Sequence, residues 1–330
     1  MVRDSTLADV EWTATAATPE RSRLALAALR VALLALLLAV PSHRAAAADL
    51  QRSLVSDGIE RSYSLHLPPG SASRPRVALV VVLHGGGGNA ETAARQTRFS
   101  AEADRAGFIV AYPNGTAAAG ARGTARHLTW NAGGCCAYAM AHGIDDVAFI
   151  RAMVAAIAAE HGIDPRRVYA TGMSNGAMMA YRLACEASDV FAAVGIVSGV
   201  VVSAPCAPAQ PVAVIHIHGS ADENVPLAGG VGRKSLTRTV YPPVAQSIAL
   251  WVRADGCSAQ SAEAQPAPGI SEALYQGCRA GTAVSFYQIA GGGHSWPGGE
   301  RMAFFLDPPS PAMSATPVIW EFFAAHPRRP

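Results

Sequence analysis

The chain has 330 residues, of which half are hydrophobic and 15% are charged. This composition excludes a disordered chain, which would be poor in apolar residues, and a fibrous chain, which would be repetitive. Twenty-six basic and 24 acidic residues leave a formal charge of +2. Because the basic residues form no block beyond short arginine runs, we expect no nucleic-acid partner.

An apolar segment near the N-terminus predicts export. Residues 31–40 are uninterrupted apolar residues, preceded by arginines and followed by Pro41 and a run of small residues. This layout is typical of a secretory signal peptide, with cleavage near Ala47. A permanent membrane anchor needs about 20 apolar residues, and extending the run backwards places Arg30 inside it. We therefore predict a cleaved signal peptide at residues 1–47, a secreted or periplasmic location and no permanent membrane anchor.

Strands and helices alternate along the rest of the chain. Residues 77–83 are a continuous run of Val, Ala and Leu, which is typical of a strand buried on both faces. The predicted strands are residues 63–67, 77–83, 108–112, 168–171, 194–198, 212–218 and 283–289. The predicted helices are residues 90–106, 146–161, 175–185 and 244–254, and a last helix that Thr316 caps, with Pro317 at its first position. This alternation predicts a single α/β domain over residues 48–330, with a mostly parallel sheet covered by helices on both faces.

The sequence Gly172-Met173-Ser174-Asn175-Gly176 lies between a predicted buried strand and a predicted helix. It matches G-x-S-x-G, the nucleophile elbow, in which a serine occupies a sharp turn from strand to helix. Side chains at positions 172 and 176 would collide with the neighbouring helix and strand, so glycine is needed at both. We therefore predict that Ser174 is a nucleophile held above one edge of the sheet.

A serine nucleophile needs a base, and the base needs a carboxylate to orient it. In this type of fold the partners follow in the order Ser, Asp, His. Asp222 comes shortly after the strand at 212–218, and His294 follows the last predicted strand. Because parallel strands end at the same edge of a sheet, both side chains are expected near Ser174. The sequence predicts Asp222 and His294 as acid and base, with Glu223 and Asp145 as alternative acids.

Four consecutive glycines, residues 85–88, directly follow the predicted strand at 77–83. Without side chains, their backbone can approach a substrate oxygen closely. The negative charge that develops on that oxygen is stabilised by backbone N–H donors. We predict an oxyanion hole formed by the N–H of Asn175 and one from this loop, with Gly86 and Gly87 as the candidates.

Two tryptophans and two histidines also lie near the predicted site. Trp130 and Trp296 are the nearest aromatic residues and are predicted to bind substrate, although core packing is the alternative for Trp296. His216 and His218 share one face of a strand, a spacing that can bind a metal. No third ligand is evident nearby, so we interpret them as hydrogen-bonding core residues. We expect neither a metal nor a cofactor.

Six cysteines in an exported chain favour disulfides, and six allow 15 pairings. Cys185 and Cys257 end predicted helices, whereas Cys206 and Cys278 precede predicted strands. All four therefore belong near the amino ends of the strands, which predicts the pairs Cys185–Cys206 and Cys257–Cys278 away from the catalytic edge. A bridge between the neighbours at 135–136 is strained, so the state of that pair stays open.

Taken together, the motifs resemble the secreted polyhydroxybutyrate-depolymerase and feruloyl-esterase group of α/β-hydrolases, related to carbohydrate esterase family 1. The resemblance spans about residues 50–327 and rests on 83–87 (LHGGG), 112–115 (YPNG), 130–136 (WNAGGCC), 145–146 (DD), 172–177 (GMSNGA), 218–222 (HGSAD) and 292–298 (GGHSWPG). It implies an α/β-hydrolase fold and hydrolysis of carboxylic esters through an acyl-enzyme on Ser174, with Asp222 and His294 as partners. It also implies that Trp296 faces the acyl pocket.

Three functional hypotheses follow. The first is an exported serine ester hydrolase that acts on short hydroxyalkanoate esters or oligomers, of the polyhydroxybutyrate type. The second is a feruloyl or acetylxylan esterase that acts on esters of plant polysaccharides. The third belongs to another class, a secreted binding protein that keeps a hydrolase fold without turnover. An intact Ser174, Asp222, His294 and glycine loop argue against the third, because a binding protein needs none of them.

Overall fold

The computed structural model describes residues 46–71, 75–118, 127–302 and 306–329, together with residues 11 and 13. The predicted signal peptide falls almost entirely outside these residues. The helices and strands below all belong to one compact unit, residues 45–330. Within the described part of the chain, no helix combines the length and the apolar character that crossing a membrane requires.

The described residues form a ten-stranded sheet and a separate two-stranded hairpin. The strands are β1 (Ala48–Ser56), β2 (Ile59–Leu67), β3 (Val77–Leu83), β4 (Ile109–Pro113), β5 (Ile163–Met173), β6 (Ala193–Val197), β7 (Ala213–Gly219), β8 (Gly230–Val231), β9 (Val240–Tyr241), β10 (Ala262–Ala267), β11 (Ile270–Tyr275) and β12 (Val284–Ile289). The order in the large sheet is β1-β2-β4-β3-β5-β6-β7-β12-β11-β10, and β8 pairs with β9. The central strands from β4 to β12 run parallel, and the outer pairs are antiparallel.

Helices cover both faces of this sheet. They are α1 (Ala90–Thr97), α2 (Phe99–Ala106), α3 (Ala137–Ala141), α4 (Asp146–Glu160), α5 (Asn175–Glu186), α6 (Val244–Ala254) and α7 (Ala315–Ala325). In β3, Leu79 and Val81 belong to a core shared with α4, α5 and α6. Val80 and Val82 belong to a second core shared with α1, α2 and α7. The fully buried pattern of β3 therefore arises because alternate side chains enter two cores, and the predicted two-sided α/β architecture is confirmed.

Five strands were not predicted: β1, β10 and β11 in the outer parts of the large sheet, and the two-residue strands β8 and β9. Most residues of β1 and β10 are exposed or half-exposed. An edge strand buries at most one face and is not forced to be apolar, so neither strand contains the continuous apolar run by which the central strands are detected.

Two predicted helix boundaries are wrong. The helix expected at 90–106 is two helices, because Arg98 adopts a left-handed conformation with φ 57° and ends α1 where α2 begins. The last helix begins at Ala315, with Ser314 rather than Thr316 at the N-cap position. The Thr316 hydroxyl points into the core instead, where it accepts a hydrogen bond from Trp296 Nε1 and donates to the Thr97 carbonyl.

Asp255, at the end of α6, makes the free energy of unfolding depend on pH, which allows its burial in the core to be tested. The residue is fully buried, and burial raises the pKa of its carboxyl to about 6 although the Val212 N–H donates to it. The folded state therefore holds the proton more tightly than the unfolded chain, whose Asp titrates near pH 4. Stability from this group is present at low pH and is lost as the pH rises through about 6.

We predict that wild type loses up to about 3 kcal/mol relative to Asp255→Asn between pH 4 and pH 7. Denaturant unfolding of both proteins across this range measures the difference. Asp57→Asn, at an exposed turn position, is the control and should run parallel to wild type. Parallel curves for Asp255→Asn as well would show that Asp255 does not titrate in this window.

Candidate active site

Ser174 occupies a strained turn between β5 and α5. Its backbone has φ 57° and ψ −122°, a conformation that is rare for a residue with a side chain. A Cβ atom at Gly172 would lie 2.6 Å from the carbonyl carbon of Gly176. One at Gly176 would overlap the carbonyl oxygens of Leu83 and His84, at the end of β3. The collision expected from the sequence is therefore present at both glycines, and Ser174 is partly exposed above the sheet.

The structure brings the predicted base and acid together. His294 Nδ1 lies 2.7 Å from Asp222 Oδ2, and both side chains are buried. The other carboxylate oxygen of Asp222 accepts the backbone N–H groups of Asn224 and Val225, each at 2.9 Å. Burial acts to raise the pKa of Asp222, but His294 and the other donors outweigh it and lower the pKa. The ionised carboxylate holds the proton on Nδ1 and leaves Nε2 of His294 as the nitrogen that can accept a proton.

The two alternative acids are engaged elsewhere. Glu223 pairs with Arg233 and Lys234. Asp145 caps α4, where its side chain accepts the N–H of Ala148 at 2.9 Å. Neither carboxylate is hydrogen-bonded to the His294 ring, so the geometry favours Asp222.

His216 and His218 form a buried hydrogen-bonded chain that ends at the Asp222 loop. Tyr181 Oη donates to His216 Nδ1 at 2.7 Å, and His216 Nε2 donates to His218 Nδ1 at 3.1 Å. His218 Nε2 donates to the Val225 carbonyl at 2.8 Å. That carbonyl can only accept, which assigns every proton along the chain. Burial lowers the pKa of both histidines, so both are neutral and hold the acid loop from beneath.

The same hydrogen bonds argue against a metal site at His216 and His218. Their ring nitrogens are already used by Tyr181, by each other and by Val225. Within the described residues, no group of three or more His, Cys, Asp or Glu side chains is arranged to hold a metal ion.

The glycine loop lies against the start of α5, but one of its predicted donors is used elsewhere. A Cβ at Gly86 would lie 3.7 Å from the Asn175 Cβ, so these residues are neighbours, and Gly86 is exposed. The N–H of Gly87 donates to the Leu128 carbonyl at 2.9 Å. The prediction that Gly87 contributes to the oxyanion hole is therefore wrong, because its donor is occupied. The backbone N–H groups of Gly86 and Asn175 remain as the candidate pair.

Trp130 and Trp296 are both fully buried. Trp130 Nε1 donates to the His84 carbonyl at 3.0 Å, and Trp296 Nε1 donates to the Thr316 hydroxyl at 3.0 Å. The Trp296 ring also packs edge-on against Phe99. This burial contradicts the prediction that the two indoles bind substrate. Both N–H groups find internal acceptors, so the rings stabilise the site from inside the core.

His84 fixes the glycine loop from below. Its Nε2 accepts the N–H of Gly115 at 3.0 Å, and its Nδ1 lies 2.8 Å from the Gly85 carbonyl. Burial lowers the pKa of His84 to about 4, so the ring is neutral at physiological pH. The proton therefore lies on Nδ1 and is donated to Gly85.

The cysteines pair as predicted. The bonds are Cys185–Cys206 and Cys257–Cys278, with Cα atoms 5.0 and 3.8 Å apart. Cys185 lies in the last turn of α5, at the opposite end of that helix from Ser174. Cys135 and Cys136, whose state the sequence left open, form a disulfide with each other in this structure.

Comparison with known proteins gives the family. Residues 61–232, just over half of the chain, match the family described as "Esterase PHB depolymerase". The chain belongs to this family. The NocK protein of Nocardia uniformis subsp. tsuyamanensis, which carries the name of an esterase, is 35% identical over 266 residues, covering 75% of this chain and 74% of that protein. Feruloyl esterase C of Emericella nidulans is 31% identical over 274 residues, covering 80% and 84%.

A solved structure supports the fold of this family member. An acetyl xylan esterase from Aspergillus awamori aligns with 84% of this chain and 99% of its own, with a TM-score of 0.59 and 17% sequence identity. At this identity the likeness establishes the α/β-hydrolase fold alone. The family and its relatives identify the protein as a carboxylic ester hydrolase.

Asn175 offers a test of how the first residue of α5 holds the backbone of Trp130 in this esterase. Its side chain donates to the Trp130 carbonyl at 3.0 Å and accepts the Trp130 N–H at 2.8 Å. Asn175→Ala keeps its own backbone N–H but leaves the buried Trp130 N–H unpaired, while the Trp130 carbonyl keeps the Cys136 N–H as a donor. We predict a loss of about 1–3 kcal/mol in the free energy of unfolding, measured by denaturant titration. Wild-type stability of the alanine variant would refute this role.

Proposed function

We propose that this esterase is a serine hydrolase that works through an acyl-enzyme, with Ser174 as nucleophile, His294 as base and Asp222 as its carboxylate partner. The observation that carries the proposal is the 2.7 Å contact between His294 Nδ1 and Asp222 Oδ2. It follows β7 and β12, which run parallel to β5 in the same sheet, and the strained turn at Ser174 follows β5.

The chemistry follows from these positions. Ser174 Oγ attacks the ester carbonyl while His294 Nε2 takes the hydroxyl proton, and Asp222 stabilises the resulting imidazolium. The N–H groups of Gly86 and Asn175 then stabilise the oxyanion of the tetrahedral intermediate. His294 returns the proton to the departing alcohol, and a water molecule releases the acid from Ser174 by the same steps in reverse order.

For the substrate we propose short hydroxyalkanoate esters or oligomers, which the family description supports. The second candidate is a feruloyl or acetyl ester of plant polysaccharide. It is favoured by relatives of similar length that carry the name feruloyl esterase. We also propose that the protein is exported, because disulfides such as those seen here persist in oxidising compartments.

Replacing the nucleophile tests the mechanism. We predict that Ser174→Ala lowers kcat by about 10⁴-fold or more, because the hydroxyl forms the acyl-enzyme. Hydrolysis of methyl ferulate and of soluble 3-hydroxybutyrate oligomers is measured under identical conditions, with Ser271→Ala, an exposed serine on β11, as the matched control.

The outcomes separate the hypotheses. Preference of wild type for the oligomers supports the hydroxyalkanoate assignment, and preference for ferulate supports the plant-ester assignment. Equal rates for wild type and Ser174→Ala, together with no labelling of wild type by a fluorophosphonate, would instead indicate a binding protein without turnover.

Replacing each neighbouring acid tests the assignment of the carboxylate. Asp222→Asn removes the charge that holds the tautomer of His294, and we predict a fall in kcat of about 10³–10⁴-fold at neutral pH. Glu223→Gln should change kcat by less than 10-fold, because Glu223 is not hydrogen-bonded to the ring. Steady-state rates of both variants measure this, and a larger loss for Glu223→Gln would reverse the assignment.

A further inference from the structure

A second carboxylate, Asp307, holds the backbone of the proposed base. Asp307 Oδ2 accepts the N–H of His294 at 2.8 Å, and only 17% of the Asp307 side chain is exposed. A Cβ at Gly293 would lie 2.6 Å from this same oxygen, so glycine is needed there for the carboxylate to reach His294. The contact is therefore built into the loop that carries the base.

Lys234 joins this carboxylate to the loop that carries the acid. Its Nζ lies 2.8 Å from Asp307 Oδ1 and 3.2 Å from Glu223 Oε2. Its backbone N–H also donates to the Glu223 carbonyl at 3.0 Å. Glu223 directly follows Asp222, so the ammonium contacts a carboxylate on each of the two loops. Lys234 is the only lysine of the 330-residue sequence, and a compact cation with three donors suits a bridge between two separate carboxylates.

The acid and the base arrive on different loops, after β7 and β12, and their contact is only as good as the alignment of those loops. We propose that Lys234 is a positioning residue that clamps the Asp222 loop to the His294 loop through Glu223 and Asp307, and that Asp307 sets the charge environment of His294. This inference rests on the proposed function, since it assigns roles toward the same triad.

The charges that face His294 set the direction of the expected effects. Two carboxylates, those of Asp222 and Asp307, are hydrogen-bonded to His294. Neutral His218 lies beside Asp222. Lys234 pairs with Asp307 and with Glu223, which in turn pairs with Arg233. Both carboxylates favour the imidazolium form, and Lys234 opposes this by neutralising Asp307. The pKa of Asp307 itself is lowered, because Lys234 and the His294 N–H outweigh the effect of burial.

The variants therefore shift His294 in opposite directions. Lys234→Met leaves Asp307 uncompensated and should move the acidic limb of the kcat/KM profile to higher pH by about 0.5 unit. Asp307→Asn keeps an acceptor for the His294 N–H but removes the charge, and should move that limb to lower pH by a similar amount. Lys234→Arg should restore most of the wild-type value. A variant that only loosened the structure would not produce shifts of opposite sign.

The primary measurement is an NMR titration of the His294 imidazole in the full-length folded protein. Its resonance is assigned by its absence in His294→Gln. The pH profile of kcat/KM is the second readout, and its acidic limb should move with the NMR value. We expect kcat to fall about 3–10-fold in Lys234→Met and to recover in Lys234→Arg. High salt should reduce the pH shift, because Lys234 is about half exposed.

Arg52→Met is the matched control. Arg52 forms a partly exposed ion pair with Glu160 at 3.8 Å, far along the sheet on the β1 edge, and its loss should leave His294 unchanged. Unchanged titration in Lys234→Met and Asp307→Asn, or shifts of the same sign, would overturn the proposal. Failure of the proposed function is separate, because it would appear as equal hydrolysis by wild type and Ser174→Ala while the titration still reports on the clamp.

Discussion

The close approach of three backbones at the elbow is the constraint on which the site depends. Leu83 ends β3, Gly172 is the second-last residue of β5 and Gly176 lies in the first turn of α5, and neither glycine has room for a Cβ where these segments meet. Only this contact lets the helix start directly above the sheet, with Ser174 strained into its left-handed turn. The same contact brings the glycine loop, which leaves β3, against the first residue of α5. The nucleophile and the candidate oxyanion donors are therefore positioned by one packing event.

The parallel central strands extend this arrangement to the rest of the proposed triad. Glycines again permit the approach, since a Cβ at Gly219 would overlap the backbone of Gly292. The Ala221 N–H donates to the Gly292 carbonyl at 2.9 Å, which joins the acid loop and the base loop close to the strands. Farther from the strands, where the backbones of the two loops separate, side-chain contacts join the loops instead. Backbone packing sets the approximate position of each loop, and side-chain contacts set the final orientation of Asp222 and His294.

The sequence predicts those parts of the fold that a local pattern determines. Continuous apolar runs mark the central strands, and the elbow glycines are readable because a steric rule requires them. The edge strands β1 and β10 were not predicted, because they bury too little surface to need a continuous apolar run. The occupied N–H of Gly87 and the burial of Trp130 and Trp296 could not be read, because each depends on a partner distant in sequence. The roles proposed for Lys234 and Asp307 were not predicted for the same reason, although the sequence does show that Lys234 is its single lysine.

Two different kinds of contact thus hold the carboxylate and the imidazole of this esterase. Beneath the acid loop, the chain from Tyr181 through His216 and His218 is buried and neutral, so it supports Asp222 without adding a charge that would compete with His294. Beside the base, the contacts of Asp307 with Lys234 are ionic and partly exposed to solvent. A neutral interior network is insensitive to salt and to pH near neutrality, whereas a solvent-exposed ion pair is screened by salt. The alignment of the triad therefore combines a fixed internal support with an outer clamp that solution conditions can weaken.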